Sequence, residues 1–259
     1  MNLQMFQVDA FTRQPFGGNP AAVCPLESWP ETDLMQRIAL ENNLSETAFF
    51  VRREDFYELR WFTPTFEIDL CGHATLASAY VLFELLGDSS EVLTFQTRSG
   101  PLQVERDGDR LVLDFPSRPP EKCEVPPGLI EAIGMAPREV LKSRDYLMVY
   151  ETEDEVRAIE PNFVELLGVD THAVIVTAPG NECDFVSRFF APEIGIFEDP
   201  VTGSAHCTLI PYWAGRLGKE RFYARQISAR GGELFCELRG ERVKIGGNAA
   251  LYLKGEIYV

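Results

Sequence analysis

Histidine is scarce in this 259-residue sequence, with three in all, and the six cysteines (Cys24, Cys71, Cys123, Cys183, Cys207, Cys236) stand far apart without paired spacing. Zinc sites draw on two separated pairs of ligands, so Cys71-Gly-His73 and His206-Cys207 do not make one, and no metal is expected. Isolated cysteines read as reduced thiols, which points to the cytoplasm and leaves the Asn43-Leu44-Ser45 sequon without meaning. No apolar run reaches membrane-spanning length. The opening MNLQMFQVDAF has neither the basic segment nor the small-residue cleavage pattern of a secretory signal. Basic residues are in the minority, 24 against 40 acidic, for a formal charge of −16. The excess is spread along the chain as a solvated acidic surface, so nucleic acid and anionic membranes are excluded as partners. A small anionic substrate would need locally concentrated donors. No G-x-G-x-x-G or phosphate loop follows a strand, so no nucleotide cofactor is expected.

What the chain does have is a 45% hydrophobic composition, enough to bury a substantial core, and an internal repeat. Arg98 to Leu113, RSGPLQVERDGDRLVL, aligns without a gap on Arg230 to Ile245, RGGELFCELRGERVKI, at an offset of 132. Upstream, Gly72-His-Ala-Thr with Gly87 matches Gly203-Ser-Ala-His with Gly218, each glycine pair fifteen positions apart. Arg60-Trp-Phe-Thr-Pro64 resembles Arg188-Phe-Phe-Ala-Pro192. An offset near half the length signals a duplicated unit. The seam falls in the proline-rich Phe115 to Pro127, giving units over 1–117 and 118–259.

Each unit reads as strands near Ser45 to Val51 and Tyr57 to Phe62 (partners Ala173 to Thr177 and Phe185 to Phe190), then a helix, then a hairpin turning at Gly108 or Gly240. Between Ala74 and Leu86 the one charged residue is Glu84, and between Ala205 and Leu217 it is Arg216. A helix without a polar face must be wrapped on every side. The expected fold is therefore α+β, with two pseudo-symmetric curled antiparallel β-barrels each around a central apolar helix, and a cleft between them. Pro211 is expected to kink the second helix.

The repeat sets Gly72-His73 and Gly203-Ser204 at equivalent helix starts, where unpaired N–H groups attract anions and glycine admits a ligand to the backbone. Alternation puts Leu44, Glu46, Ala48 and Phe50 on one strand face. A carboxylate among apolar neighbours loses hydration and becomes useful as a general base. Its counterpart falls near Thr171. Asp199-Pro200 reads as an N-cap followed by a first-turn proline. His73 sits beside a donor pocket, His206 one turn inside its helix, and His172 carries no signal. Cys71 stands at a helix start, with Thr202 at the matching position. A Ser204, His206, Asp199 hydrolase triad would crowd its members within eight residues and lacks the nucleophile elbow.

The motifs VDAFTRQPFGGNPAAV (8 to 23), SETAFF (45 to 50), FTP with CGHAT (62 to 75) and FEDPVTGSA (197 to 205) resemble those of the phenazine-biosynthesis isomerase (PhzF-like) family, which is similar in fold to diaminopimelate epimerase. The resemblance spans essentially the whole chain. It implies Glu46 as acid/base, with His73 and Asp199 assisting proton movement. It also implies a substrate pocket lined by Gly72, Gly203 and Ser204, with Asn19 of the GGNP motif as a further substrate contact. The implied reaction is a cofactor-free isomerisation that moves a proton on a small unsaturated carboxylate-bearing metabolite, in a homodimer. Diaminopimelate epimerase-like enzymes use a cysteine before each helix-start glycine. With Thr202 opposite Cys71, two-base racemisation is disfavoured, while a thiol-dependent epimerase or dehydratase using Cys71, or a non-catalytic protein-interaction scaffold, stays open.

Overall fold

The computed structural model describes Met1–Val259, and its contacts divide the chain into two compact units, Met1–Phe115 with Lys244–Val259, and Pro116–Val243. A single cut at 117 would separate the last strand from the unit it packs in.

The first unit runs β1 (Asn2–Ala10), β2 (Asn19–Leu26), α1 (Thr32–Asn42), β3 (Glu46–Arg52), β4 (Tyr57–Phe62), β5 (Glu67–Ile68), α2 (Gly72–Tyr80), β6 (Val92–Thr97), β7 (Gly100–Asp107) and β8 (Arg110–Pro116), and is joined by β18 (Ala249–Tyr258). Strand β1 pairs antiparallel with both β18 and β2, as do β3 with β4, β6 with β7 and β7 with β8. Strands β2 and β3 are parallel, as are β4 and β6. The sheet is therefore mixed, which corrects the antiparallel expectation. Helices α1 and α2 are crossover connections, and a chain that returns through a helix re-enters the sheet in the same direction.

The second unit holds β9 (Glu121–Lys122), α3 (Leu129–Ile133), β10 (Glu139–Lys142), β11 (Tyr146–Val149), α4 (Glu153–Ala158), α5 (Phe163–Leu166), β12 (Val174–Pro179), β13 (Phe185–Ala191), β14 (Ile196–Asp199), α6 (Gly203–Leu217), β15 (Arg221–Gln226) and β16 (Gly232–Arg239), and runs into β17 (Arg242–Gly247). Its pairings follow the same order: β10–β11 antiparallel, β11–β12 parallel, β12–β13 antiparallel, β13–β15 parallel, β15–β16 antiparallel. The repeat seen in the sequence is thus a repeat of connectivity. No helix is long and apolar enough to cross a membrane.

Local chemistry explains the repeated motifs. Arg60 grips Glu67 through two bonds of 2.7 and 2.8 Å, and Arg188 grips Glu198 at 2.8 and 3.0 Å, so each arginine staples its strand to the short strand that follows. Gly108 and Gly240 take φ of 64° and 60° at the hairpin turns, a left-handed conformation that glycine adopts without steric cost.

Strand β3 is buried on both faces from Glu46 to Val51, because α1 packs on one side and α2 on the other. Phe49 and Cys24 join the cluster under α1 with Met35 and Ile38. Thr47, of the same parity, accepts a hydrogen bond from Asn42 of α1 at 3.0 Å. Glu46, Ala48 and Phe50 therefore face α2, and so do Asn19 and Ala21 of β2, which lies beside β3 with Ala21 opposite Glu46.

Helix α2 is buried from Gly72 to Ala79, as its missing polar face requires. It passes at Val81–Leu85 into a π-turn, where the Leu86 N–H reaches back to the Val81 carbonyl. In α6 the position matching Tyr80 is Pro211, and the helix runs unbroken through it. Proline removes the N–H that would satisfy the carbonyl four residues back. That carbonyl, of Cys207, accepts the Arg118 N–H at 2.9 Å instead. The linker thus supplies the donor that the proline lacks.

Candidate active site

Four residues of the first unit converge. The parity of β3 aims the Glu46 carboxylate at the start of α2, where His73 is the second helical residue. His73 Nε2 lies 3.0 Å from Glu46 Oε2, with both side chains at most 7% exposed. At the opposite edge of the ring, Nδ1 meets the Asn19 side-chain amide at 3.2 Å and Cys71 Sγ at 3.5 Å. Asn19 is itself wholly buried. It acts on the ring from the first position of β2, a strand led into by Gly18. Gly18 has φ of 61°, and a Cβ there would sit 2.0 Å from the Ala10 carbonyl oxygen. Only glycine closes that turn, so the GGN sequence delivers Asn19 to His73.

Burial works against a charge on His73 and the Glu46 carboxylate works for it, and the ring's pKa is raised above the ordinary histidine value. The Asn19 amide nitrogen faces Nδ1, and Nε2 faces the carboxylate. Cys71 goes the other way. Burial first, and Glu46 second, push its thiol up to about 11, so at neutral pH it is a thiol and a poor nucleophile or base.

Glu46, Cys71 and His73 place one ligand atom each within 4.8 Å of one another. The trio could offer three ligand atoms to an ion, but a metal takes the thiolate, and burial and Glu46 keep Cys71 as a thiol.

In the second unit the register gives Glu46 a different counterpart from the one the sequence suggests. Phe49 pairs with Arg60 and Val176 with Arg188, which sets Ala173 in the place of Glu46. Thr171 instead binds the Ala173 carbonyl at 2.9 Å. The second unit carries no carboxylate there.

Asp199 also departs from expectation. It closes β14 and does not cap the helix, because α6 starts at Gly203 with Thr202 as N-cap. Pro200 therefore lies outside the first turn. The Asp199 carboxylate accepts the Thr202 hydroxyl at 2.5 Å, while Gly203 is buried and Ser204 half-buried. Gln226 was not singled out from the sequence. It ends β15, in which Phe222, Ala224 and Gln226 share the buried phase, and a glutamine in an apolar phase was the available signal. His206 donates through Nδ1 to the Thr202 carbonyl at 2.9 Å. Burial lowers its pKa to about 4, so it is neutral. His172 bonds the buried Asp145 at 2.8 Å.

Residues 8–255 match the family model described as phenazine biosynthesis-like protein. An uncharacterized isomerase of Pseudomonas aeruginosa is 57% identical over 259 residues, covering all of both chains. The crystal structure of a phenazine biosynthesis protein of the PhzF family from Enterococcus faecalis superposes with a TM-score of 0.97 at 49% identity, again over all of both chains. A hydroxyproline epimerase from Agrobacterium vitis, at 12% identity and a TM-score of 0.69, covering 99% of this chain and 92% of its own, shares the α+β fold. Matched from near one end to the other by relatives of its own length, the chain belongs to the PhzC-PhzF family of phenazine biosynthesis-like proteins.

Proposed function

We propose that the protein is a cofactor-free isomerase that moves a proton along a small, unsaturated, carboxylate-bearing metabolite, with Glu46 as the acid/base. One observation carries the reading. A buried carboxylate lies 3.0 Å from an imidazole whose ionised form its neighbours favour. In the reaction, Glu46 takes a proton from a carbon next to the double bond. The electron pair left behind spreads through the conjugated system onto the substrate carboxylate. Glu46 then returns the proton further along. The His73 ring, 3.0 Å away, holds the carboxylate in place and requires no reorganisation as charge moves, which is the general source of electrostatic catalysis. The helix-start N–H groups at Gly72 offer donors to a carboxylate, and the family resemblance gives Asp199, Gly203 and Ser204 a share in the substrate contact. The same resemblance supports two units whose sheets curl around α2 and α6, and a homodimer, to be tested by sedimentation.

The test is incubation of the protein with cyclohexadiene carboxylic acids in deuterated water, followed by mass spectrometry. Wild type is expected to incorporate solvent deuterium, and Glu46→Gln to incorporate none while keeping its melting temperature. Incorporation at the wild-type rate in Glu46→Gln rules the proposal out. The thiol reading is disfavoured by the high pKa of Cys71. It would be revived if Cys71→Ser were inert.

A further inference from the structure

Gln226 is 1% exposed and makes three hydrogen bonds to the segment that leads into α6. Its Oε1 accepts the Thr202 backbone N–H at 2.8 Å. A backbone amide can only donate, so this bond settles which end of the glutamine amide is oxygen. Nε2 must then donate, and it reaches the Asp199 carbonyl at 2.7 Å and the Thr202 hydroxyl oxygen at 3.2 Å. A hydroxyl that accepts from Gln226 has its own proton left to give, and the Asp199 carboxylate lies 2.5 Å away. The direction of the chain is fixed throughout: Gln226 to Thr202 to Asp199.

We propose that Thr202 and Gln226 are positioning residues that hold Asp199 as a proton-accepting carboxylate, so that Asp199 serves the reaction as an anion and not as an acid. This rests on the reading that Asp199 touches substrate. The repeat gives the chain its significance. Thr202 occupies the N-cap position of α6 that Cys71 occupies in α2. In the first unit that residue touches an imidazole, and in the second it orders a carboxylate. The two N-caps have been put to different uses. Of the charged groups on neighbouring elements, Arg188 and Glu198 pair with each other, and His206, bonded to the Thr202 carbonyl, is neutral.

The test begins on the substrate-free protein. Carboxyl carbon NMR on aspartate-labelled protein, with the Asp199 signal identified by its loss in Asp199→Asn, follows ionisation in wild type, Thr202→Val, Thr202→Ser and Gln226→Leu. Losing a hydroxyl donor disfavours the ionised form. The Asp199 midpoint should therefore rise by about one pH unit in Thr202→Val and by less in Gln226→Leu, which serves should the valine variant fail to fold, and return in Thr202→Ser. A slowly exchanging hydroxyl proton should be present in wild type and Thr202→Ser and missing in Thr202→Val. An unmoved midpoint in Thr202→Val, or an Asp199 already protonated at neutral pH in wild type, overturns the proposal. These readouts stand whether or not Glu46 drives exchange. With turnover in hand, the acid limb of the pH–rate profile should shift with the carboxyl midpoint. A limb that stays fixed overturns the role of Asp199 in the reaction and leaves the Glu46 reading intact.

Discussion

Taking the protein from about pH 7 to about pH 4 sets a proton against a site built to refuse it. His206 is wholly buried, gives its Nδ1 proton to the Thr202 carbonyl, and has no partner for Nε2. Burial lowers its pKa from 6.5 to about 4, against the pull of the Thr202 carbonyl. In the unfolded chain the ring protonates near 6.5, so between these values the unfolded state binds more protons than the folded one. Stability from this group is fully present above 6.5 and is lost as pH falls towards 4. A difference of roughly 2.5 in pKa, at about 1.36 kcal/mol per tenfold change, corresponds to about 3 kcal/mol lost by pH 4. The assay is urea unfolding across that range for wild type and for His206→Gln, whose amide keeps a donor for the Thr202 carbonyl but does not titrate. Carboxylates that titrate alike in both proteins cancel in the difference. Wild type should lose about 3 kcal/mol more than the variant. Parallel curves would refute the reasoning, as would an imidazole midpoint near 6.5 by NMR.

Cys71, with its thiol pushed up to about 11 by burial and Glu46, should resist iodoacetamide at neutral pH in the native protein and react once denatured, as peptide mass mapping would show. Gly18→Ala forces a Cβ to within 2.0 Å of the Ala10 oxygen at a φ of +61°; a cost of about 2 kcal/mol or more is expected, read as a lowered melting temperature. Pro211→Ala restores an N–H that competes with Arg118 for the Cys207 carbonyl, so the Arg118 amide should exchange with solvent about tenfold faster.

Much of this site was legible in the sequence, and for identifiable reasons. The strands at Tyr57–Phe62 and Phe185–Ala191 and the two apolar helices announce themselves because apolar periodicity and the repeat say the same thing twice. Strand alternation also aims Glu46 correctly, although β3 is apolar on both faces and its phase is set by α1 and α2 together. The partnership of Asn19 with His73 was out of reach, since it depends on the parallel pairing of β2 with β3, and that pairing depends on the crossover through α1. Asp199 and Pro200 imitate a helix start by composition, yet β14 claims Asp199 through its pairing with Phe189. Cys207 and Arg118 lie far apart in sequence, so no local rule could foresee which donor would take the carbonyl that Pro211 leaves open.

The placement of β18 bears on the order in which the molecule is made. Asn2 pairs with Tyr258, so β1 leaves the ribosome roughly 250 residues before the strand that covers one of its sides. The second unit is the single stretch Pro116–Val243 and has all its strands up to β16 in hand earlier. The half that carries Glu46 and His73 begins first and finishes last, and until then an unpaired strand edge is open to any neighbour with backbone to offer.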